Sequence, residues 1–267
     1  MEDITGTEGV GTKMRTFAMT GGATGIGAEL KEQLLAAGDR VISVDIKEGD
    51  VIADLSSDDG RQVAIRGVRE LAPEGLDGFI PCAGLPPVAT PFSLIARVNY
   101  FAVIETVEGL RDLLERKQGS VVFVSSNSAP MVPTDDSFVQ KCLLGDEVAA
   151  CTEIDDRDGH TAYAGSKRAV TLWMRRHVVE YAGKGVRLNA VAPGITMTPL
   201  TDRVFEDEEL GAAMKAFGDS VPVGRTAQPS DIANVMRYML SDDAAYMCGS
   251  VIFVDGGSDA MLRSDDF

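Results

Sequence analysis

Arg15–Leu30, RTFAMTGGATGIGAEL, is the stretch whose reading decides the fold. Arg15–Thr20 reads as a short buried strand, and it runs straight into a glycine-rich turn that opens a helix expected over about 26–37. Gly21, Gly25 and Gly27 fall in a Thr-Gly-x-x-x-Gly-x-Gly spacing, with Thr24 and Ile26 between them. Glycines in this position let the chain turn tightly and let the backbone approach a pyrophosphate, while the helix N-terminus offers free N–H groups to the phosphates. The spacing differs from the G-x-G-x-x-G form. Thr24 is neutral where a phosphate-binding site can carry a cation.

Outward from this unit, RVISVD reads as a second strand ending in Asp45. A carboxylate there can accept both hydroxyls of an adenosine ribose and repels a 2′-phosphate, which argues for NAD over NADP. Lys47 is the one nearby basic residue and leaves some NADP use open. VIADLS reads as a third short strand with Asp54 at its end. That carboxylate could meet an adenine amino group, or it could serve the chain as a turn or helix-start residue; Leu55 is counted beside it among the candidate cofactor contacts. Farther on, AYAGSKRAV places Tyr163 and Lys167 four residues apart, on one face of a helix. A phenol beside an ammonium is the layout of a proton-transfer site, since a nearby cation favours the phenolate.

With these residues in hand the chain resembles the short-chain dehydrogenase/reductase family from about Arg15 to the C-terminus. Further landmarks come in order: Asn99 in VNYFA, Ser126 in VVFVSSNSA, APGITMTP over 192–199, and VIFVDGG over 251–257. The resemblance implies a Rossmann-type doubly wound parallel sheet and a catalytic set of Asn99, Ser126, Tyr163 and Lys167. In it Tyr163 exchanges the proton, Lys167 lowers the tyrosine pKa and bonds the nicotinamide ribose, Ser126 holds the reacting oxygen, and Asn99 anchors a water chain. It also implies cofactor contacts from the glycine turn, Asp45, Asp54, the 82–84 turn, Tyr163, Lys167 and the loop carrying Pro193, Gly194, Ile195 and Thr198. Within the family, the chain resembles the bacterial 3α-hydroxysteroid dehydrogenase/carbonyl reductase branch. That branch implies NAD-linked interconversion of a secondary alcohol and a ketone on steroids or smaller aromatic and alicyclic carbonyls.

Two departures stand out. PCAG replaces the usual Asn-Asn-Ala-Gly after the fourth strand, so Cys82 stands for an asparagine while Ala83 and Gly84 are kept. Ser126 and Tyr163 are 163 − 126 = 37 residues apart, whereas the resemblance implies a separation of roughly a dozen, in keeping with ordinary short connections. The extra residues make an insertion at about 130–159. Phe138, Cys142, Leu144 and Val148 sit near helical spacing and Asp135/Asp136 precede a plausible helix start, which predicts a short helical excursion serving as a substrate lid or a subunit contact.

The 267 residues, 45% of them hydrophobic, suffice for one large core, and no repeat or composition break divides the chain. Residues 14–267 are expected to form a single domain behind a mobile extension, 1–13. Long helices are expected over about 88–117, 161–182 and 229–240, and 201–217 is a candidate substrate flap. A formal charge of −16 argues against nucleic-acid and anionic-membrane partners. Residues 1–13 are glycine-rich and polar and hold no apolar run long enough for a signal or membrane segment. Cys82, Cys142, Cys151 and Cys248 lack paired spacing and suit reduced thiols in a cytoplasm. His160 and His177 show no metal-ligand pattern, so no metal is expected; His160, three residues before Tyr163, is a candidate for lining the site.

Three functions fit. They are an NAD-dependent alcohol/ketone oxidoreductase acting as a homodimer or homotetramer, the same fold acting on a dihydrodiol, terpene alcohol or quinone, and a non-catalytic dinucleotide sensor that binds a partner through the insertion.

Overall fold

The computed structural model describes residues 14–208 and 210–266. Its seven strands are β1 (Thr16–Thr20), β2 (Arg40–Asp45), β3 (Val51–Ile52), β4 (Gly78–Pro81), β5 (Ser120–Val124), β6 (Arg187–Pro193) and β7 (Val251–Val254). They pair in parallel in the order β3-β2-β1-β4-β5-β6-β7. The order reverses between β1 and β4, and such a reversal leaves a crevice at the C-terminal ends of the strands where ligands bind.

Both faces of the sheet are covered, so its strands are apolar throughout rather than alternating with polar residues. The side chains still divide with period two. Phe17, Met19, Ile80, Val122 and Val191 join Leu30 and Leu34 of α1 (Gly25–Ala36). Ala18, Phe79, Val121, Phe123 and Leu188 join the opposite layer, formed with α2 (Asp58–Leu71), α3 (Phe92–Ala96), α4 (Ala102–Gly109) and α5 (Arg111–Lys117). That layer continues into α6 (Ser137–Leu143), α7 (Glu147–Asp155) and α8 (Gly159–Ala182). Beyond β6 lie α9 (Pro199–Phe205), α10 (Leu210–Asp219), α11 (Pro229–Leu240), which packs beside α1, and α12 (Ser258–Leu262).

Several sequence expectations change here. The third strand is two residues long because Asp54 ends it: its Oδ1 accepts the Ser56 N–H at 3.0 Å and the Ser56 hydroxyl at 2.7 Å, folding the chain into a turn. The helix expected over 88–117 starts only after Pro91 and is divided by a π turn at Arg97–Phe101 and a break at Leu110. A proline ring fixes φ and removes an N–H, so Pro86, Pro87 and Pro91 keep residues 86–91 out of the helix. The expected extension at 1–13 lies outside the described residues.

The insertion is two helices rather than one. Asp136 caps α6 through the Phe138 and Val139 N–H groups, and Asp146 caps α7 through Ala149. Gly145, at φ 74°, turns the chain between them. The single helical spacing read across this turn therefore fails: Phe138 and Cys142 are fully buried, but Leu144 and Val148 are 81% and 78% exposed. The buried face packs on α3 and α8, close enough that a Cβ on Gly165 would stand 2.9 Å from the Phe138 ring. Arg61 of α2, only 2% exposed, donates to both carboxylate oxygens of Glu147 and to Glu105, tying the insertion to α2 and α4.

Candidate active site

A cavity of about 610 Å³ lies across the C-terminal ends of the central strands. At one end the glycine turn forms a cradle in which larger residues would clash. Gly21 sits at φ 73° with its missing Cβ 2.6 Å from Ala83 Cα, and a Cβ on Gly27 would meet the Gly21 carbonyl at 2.0 Å. Thr24 is the N-cap of α1, yet its side chain makes no capping bond. The first-turn N–H groups are therefore left for an anion. Asp45 stands at the end of β2 with Oδ2 accepting the Ala23 N–H at 3.3 Å and Oδ1 accepting the Ile46 N–H at 2.8 Å, so its orientation is set beforehand. These features fit a dinucleotide.

Gly21, Thr24, Gly25, Ile26, Gly27, Asp45, Asp54 and Leu55 all line this cavity, as do Cys82, Ala83, Gly84, Pro193, Gly194, Ile195 and Thr198. Thr20, which pattern reading passes over, holds the Ala83 N–H with its hydroxyl at 3.1 Å. Cys82 is held through its backbone, its N–H bonded to the Thr20 carbonyl at 3.2 Å. Burial raises its thiol pKa to about 11, against the opposing pull of Lys167, so the thiol is neutral at physiological pH.

Ser126, just past β5, meets Tyr163 and Lys167 of α8 in the middle of the cavity. α8 begins at Asp158, whose carboxylate accepts the Thr161 N–H and hydroxyl. Gly159 lets this first turn approach so closely that a Cβ would stand 1.8 Å from the Pro87 carbonyl. The Lys167 ammonium donates to the Val124 carbonyl at 2.8 Å and lies 6.0 Å from the centre of the Tyr163 ring. Burial lowers its pKa to about 8, with Cys82 opposing. Burial likewise holds the Tyr163 phenol above its ordinary value, and the nearby Ser126 hydroxyl pulls it back down. The two groups share a face, but desolvation penalises the charged form of each, and Ser126 supplies the downward pull.

Asn99 is the one predicted site residue that does not line the cavity. It is fully buried in the π turn, a helix irregularity common at functional sites. Its Oδ1 accepts the Leu85 N–H at 2.7 Å and its Nδ2 donates to the Leu85 carbonyl at 3.0 Å. The side chain thus clamps the turn after β4, and both ends of the amide are committed to that backbone.

The far end of the cavity is apolar: Leu85, Pro86, Met131, Leu200, Met214 and Phe217 line it, the last three from α9 and α10, around the candidate flap. Sequence reading flagged the flap but not these residues, whose only early signal is apolar spacing within an acidic stretch. Asn127 is also a lining residue that sequence reading missed; it is buried with its Nδ2 unpaired. His160 is exposed at the rim and does line the cavity. Of the insertion, Met131 lines the cavity, while residues 134–156 do not and pack their buried face on α3 and α8. Among the described residues no cluster of three His, Cys, Asp or Glu could hold a metal, and no helix is long and apolar enough to cross a membrane.

This chain belongs to the short-chain dehydrogenase/reductase family. Residues 149–259 match the family model described as enoyl-(acyl carrier protein) reductase. The chain is 36% identical over 259 residues to the 3-alpha-hydroxysteroid dehydrogenase/carbonyl reductase of Comamonas testosteroni, covering 95% of this chain and 100% of that protein. The crystal structure of the 3-alpha-hydroxysteroid dehydrogenase from Pseudomonas sp. B-0831 complexed with NADH superposes with a TM-score of 0.90 at 41% identity, over 94% of this chain and 100% of that one. The vibriobactin-specific 2,3-dihydro-2,3-dihydroxybenzoate dehydrogenase of Vibrio cholerae is 28% identical over 90% of this chain and 94% of its own.

Proposed function

We propose that this protein is an NAD(H)-dependent oxidoreductase that interconverts a secondary alcohol and a ketone, on a hydroxysteroid or another alicyclic or aromatic carbonyl compound, with Tyr163 as acid and base. The observation that carries this reading is the cavity in which Ser126, Tyr163 and Lys167 stand between a dinucleotide cradle and an apolar wall. The two hydroxysteroid dehydrogenase relatives support the substrate class, and the NADH bound by one of them supports the cofactor. Asp45 supports NAD over NADP, because a 2′-phosphate would meet its carboxylate.

Bound NAD supplies the hydride acceptor. In oxidation Tyr163 takes the hydroxyl proton of the substrate, and in reduction it returns one. Ser126 donates to the reacting oxygen and stabilises the charge that develops there. Lys167, anchored by the Val124 carbonyl, holds a positive charge on the tyrosine side of the site and has two further N–H bonds for ribose hydroxyls. Asn99 keeps the Leu85 turn in place between cofactor cradle and substrate wall.

A dihydrodiol substrate is the second reading, favoured by the Vibrio cholerae relative. A homodimer or homotetramer belongs to the same proposal, supported by the uncovered apolar edge near β7, where Tyr246 is fully exposed. A cytoplasmic site of action is supported by four free cysteines. The test follows nicotinamide absorbance with NAD or NADP and a 3α-hydroxysteroid, a monocyclic terpene alcohol and a dihydrodiol. NAD-linked turnover of the steroid is expected; turnover of another alcohol alone would overturn the substrate class, and silence on all three would overturn the enzyme reading.

A further inference from the structure

Ser126 has to donate a hydrogen bond to the reacting oxygen, and the geometry around it shows what makes it do so. Its Oγ accepts the Ser128 backbone N–H at 3.1 Å and lies 2.9 Å from the Ser128 Oγ. A serine hydroxyl has two acceptor positions and one proton. If the Ser128 hydroxyl donates, both acceptor positions of Ser126 are filled from one side, and its proton has only the cavity left to point into, toward Tyr163 and the substrate. If instead Ser126 donates to Ser128, its proton is turned away and the reacting oxygen has no donor from this residue.

We infer that Ser128 is a positioning residue that forces Ser126 to act as a donor. Accepting two hydrogen bonds also polarises the Ser126 O–H and makes it a stronger donor, because chained hydrogen bonds reinforce one another. The developing negative charge on the reacting oxygen selects the arrangement in which every hydroxyl of the Ser128–Ser126 chain points toward it. Ser128 lines the same cavity and is only half-buried, so exchanging its hydroxyl for hydrogen disturbs little packing. Ser125 is not an alternative relay. Its hydroxyl faces Thr171 at 2.8 Å, and Thr171 in turn donates to the Lys167 carbonyl at 2.9 Å, away from the reaction.

The inference rests on the oxidoreductase reading above, and its test has one readout that needs no turnover. In steady-state kinetics Ser128→Ala is expected to lower kcat about fivefold, the worth of one neutral hydrogen bond, with KM for NAD unchanged. Ser128→Thr, which keeps the hydroxyl, is expected to restore it. In a Ser126→Ala background, Ser128→Ala is expected to change kcat by no more than about twofold, because a residue acting through Ser126 has nothing left to act on. Independently of activity, near-ultraviolet titration of the Tyr163 phenol, taken as the difference from Tyr163→Phe, is expected to move to higher pH in Ser128→Ala and not to move further in the double variant. Equal losses in both backgrounds, or an unmoved phenol titration in Ser128→Ala, would overturn the inference even in a fully active enzyme. A wild-type protein that turns over nothing would overturn the functional reading, while the titration would still decide this one.

Discussion

Replacing Lys167 by methionine should change how stability depends on pH. The ammonium is 4% exposed, and burial brings its pKa from the ordinary 10.5 to about 8. A base whose folded pKa lies below its unfolded one binds fewer protons in the folded state, so it costs stability below the folded value and stops doing so above the unfolded one. At pH 7 the cost is about 3 kcal/mol, and near pH 10 it falls to about 1 kcal/mol. Lys167→Met removes this cost, but it also leaves the Val124 carbonyl without its 2.8 Å donor, a penalty of about 1–3 kcal/mol that does not vary with pH. The net effect at one pH is therefore a difference of similar quantities. The change in the variant-minus-wild-type gap between pH 7 and pH 10, about 2 kcal/mol in favour of the variant at the lower pH, isolates the titration. Urea unfolding of both proteins across this range measures it. Parallel curves, with a gap constant to within about 0.5 kcal/mol, would refute a desolvated ammonium at this position.

Tyr163→Phe should lower kcat about a thousandfold while leaving the NAD dissociation constant unchanged; substantial residual turnover in a stopped assay would remove the acid/base role. Asp45→Ala should raise the NADP-to-NAD ratio of kcat/KM by about tenfold, since it removes a carboxylate already oriented by Ala23 and Ile46. An unmoved ratio would transfer selectivity to another residue. Glu147→Ala should cost about 2 kcal/mol in denaturant unfolding, because buried Arg61 then keeps the partly exposed Glu105 as its charged partner beside the Ser57 carbonyl.

The glycine turn, the acidic end of β2 and the Tyr163/Lys167 spacing could be read from the sequence because each depends on local backbone geometry: only glycine tolerates the close approaches at 21 and 27, and four residues of helix always bring two side chains to one face. The doubly wound sheet comes from the same local units, since short apolar strands alternating with helices have few ways to cover both faces. Features that depend on distant partners were not legible. One helical pattern can be drawn through 88–117 and one helical face across Gly145, whereas the π turn holding Asn99 packs against α8 and the face that α6 and α7 bury is set by α3, α8 and the Arg61 ion cluster.

Tertiary structure alone decided three things about the site. It set Asn99 on the Leu85 backbone, it packed residues 134–156 on α3 and α8 away from the cavity, and it set the burial that raises the Tyr163 phenol and lowers the Lys167 ammonium. Desolvation is a property of everything that surrounds a group, and a spacing of four residues carries no information about it. The residues of the chemistry were written in the local sequence; their protonation and orientation were settled by segments far away along the chain.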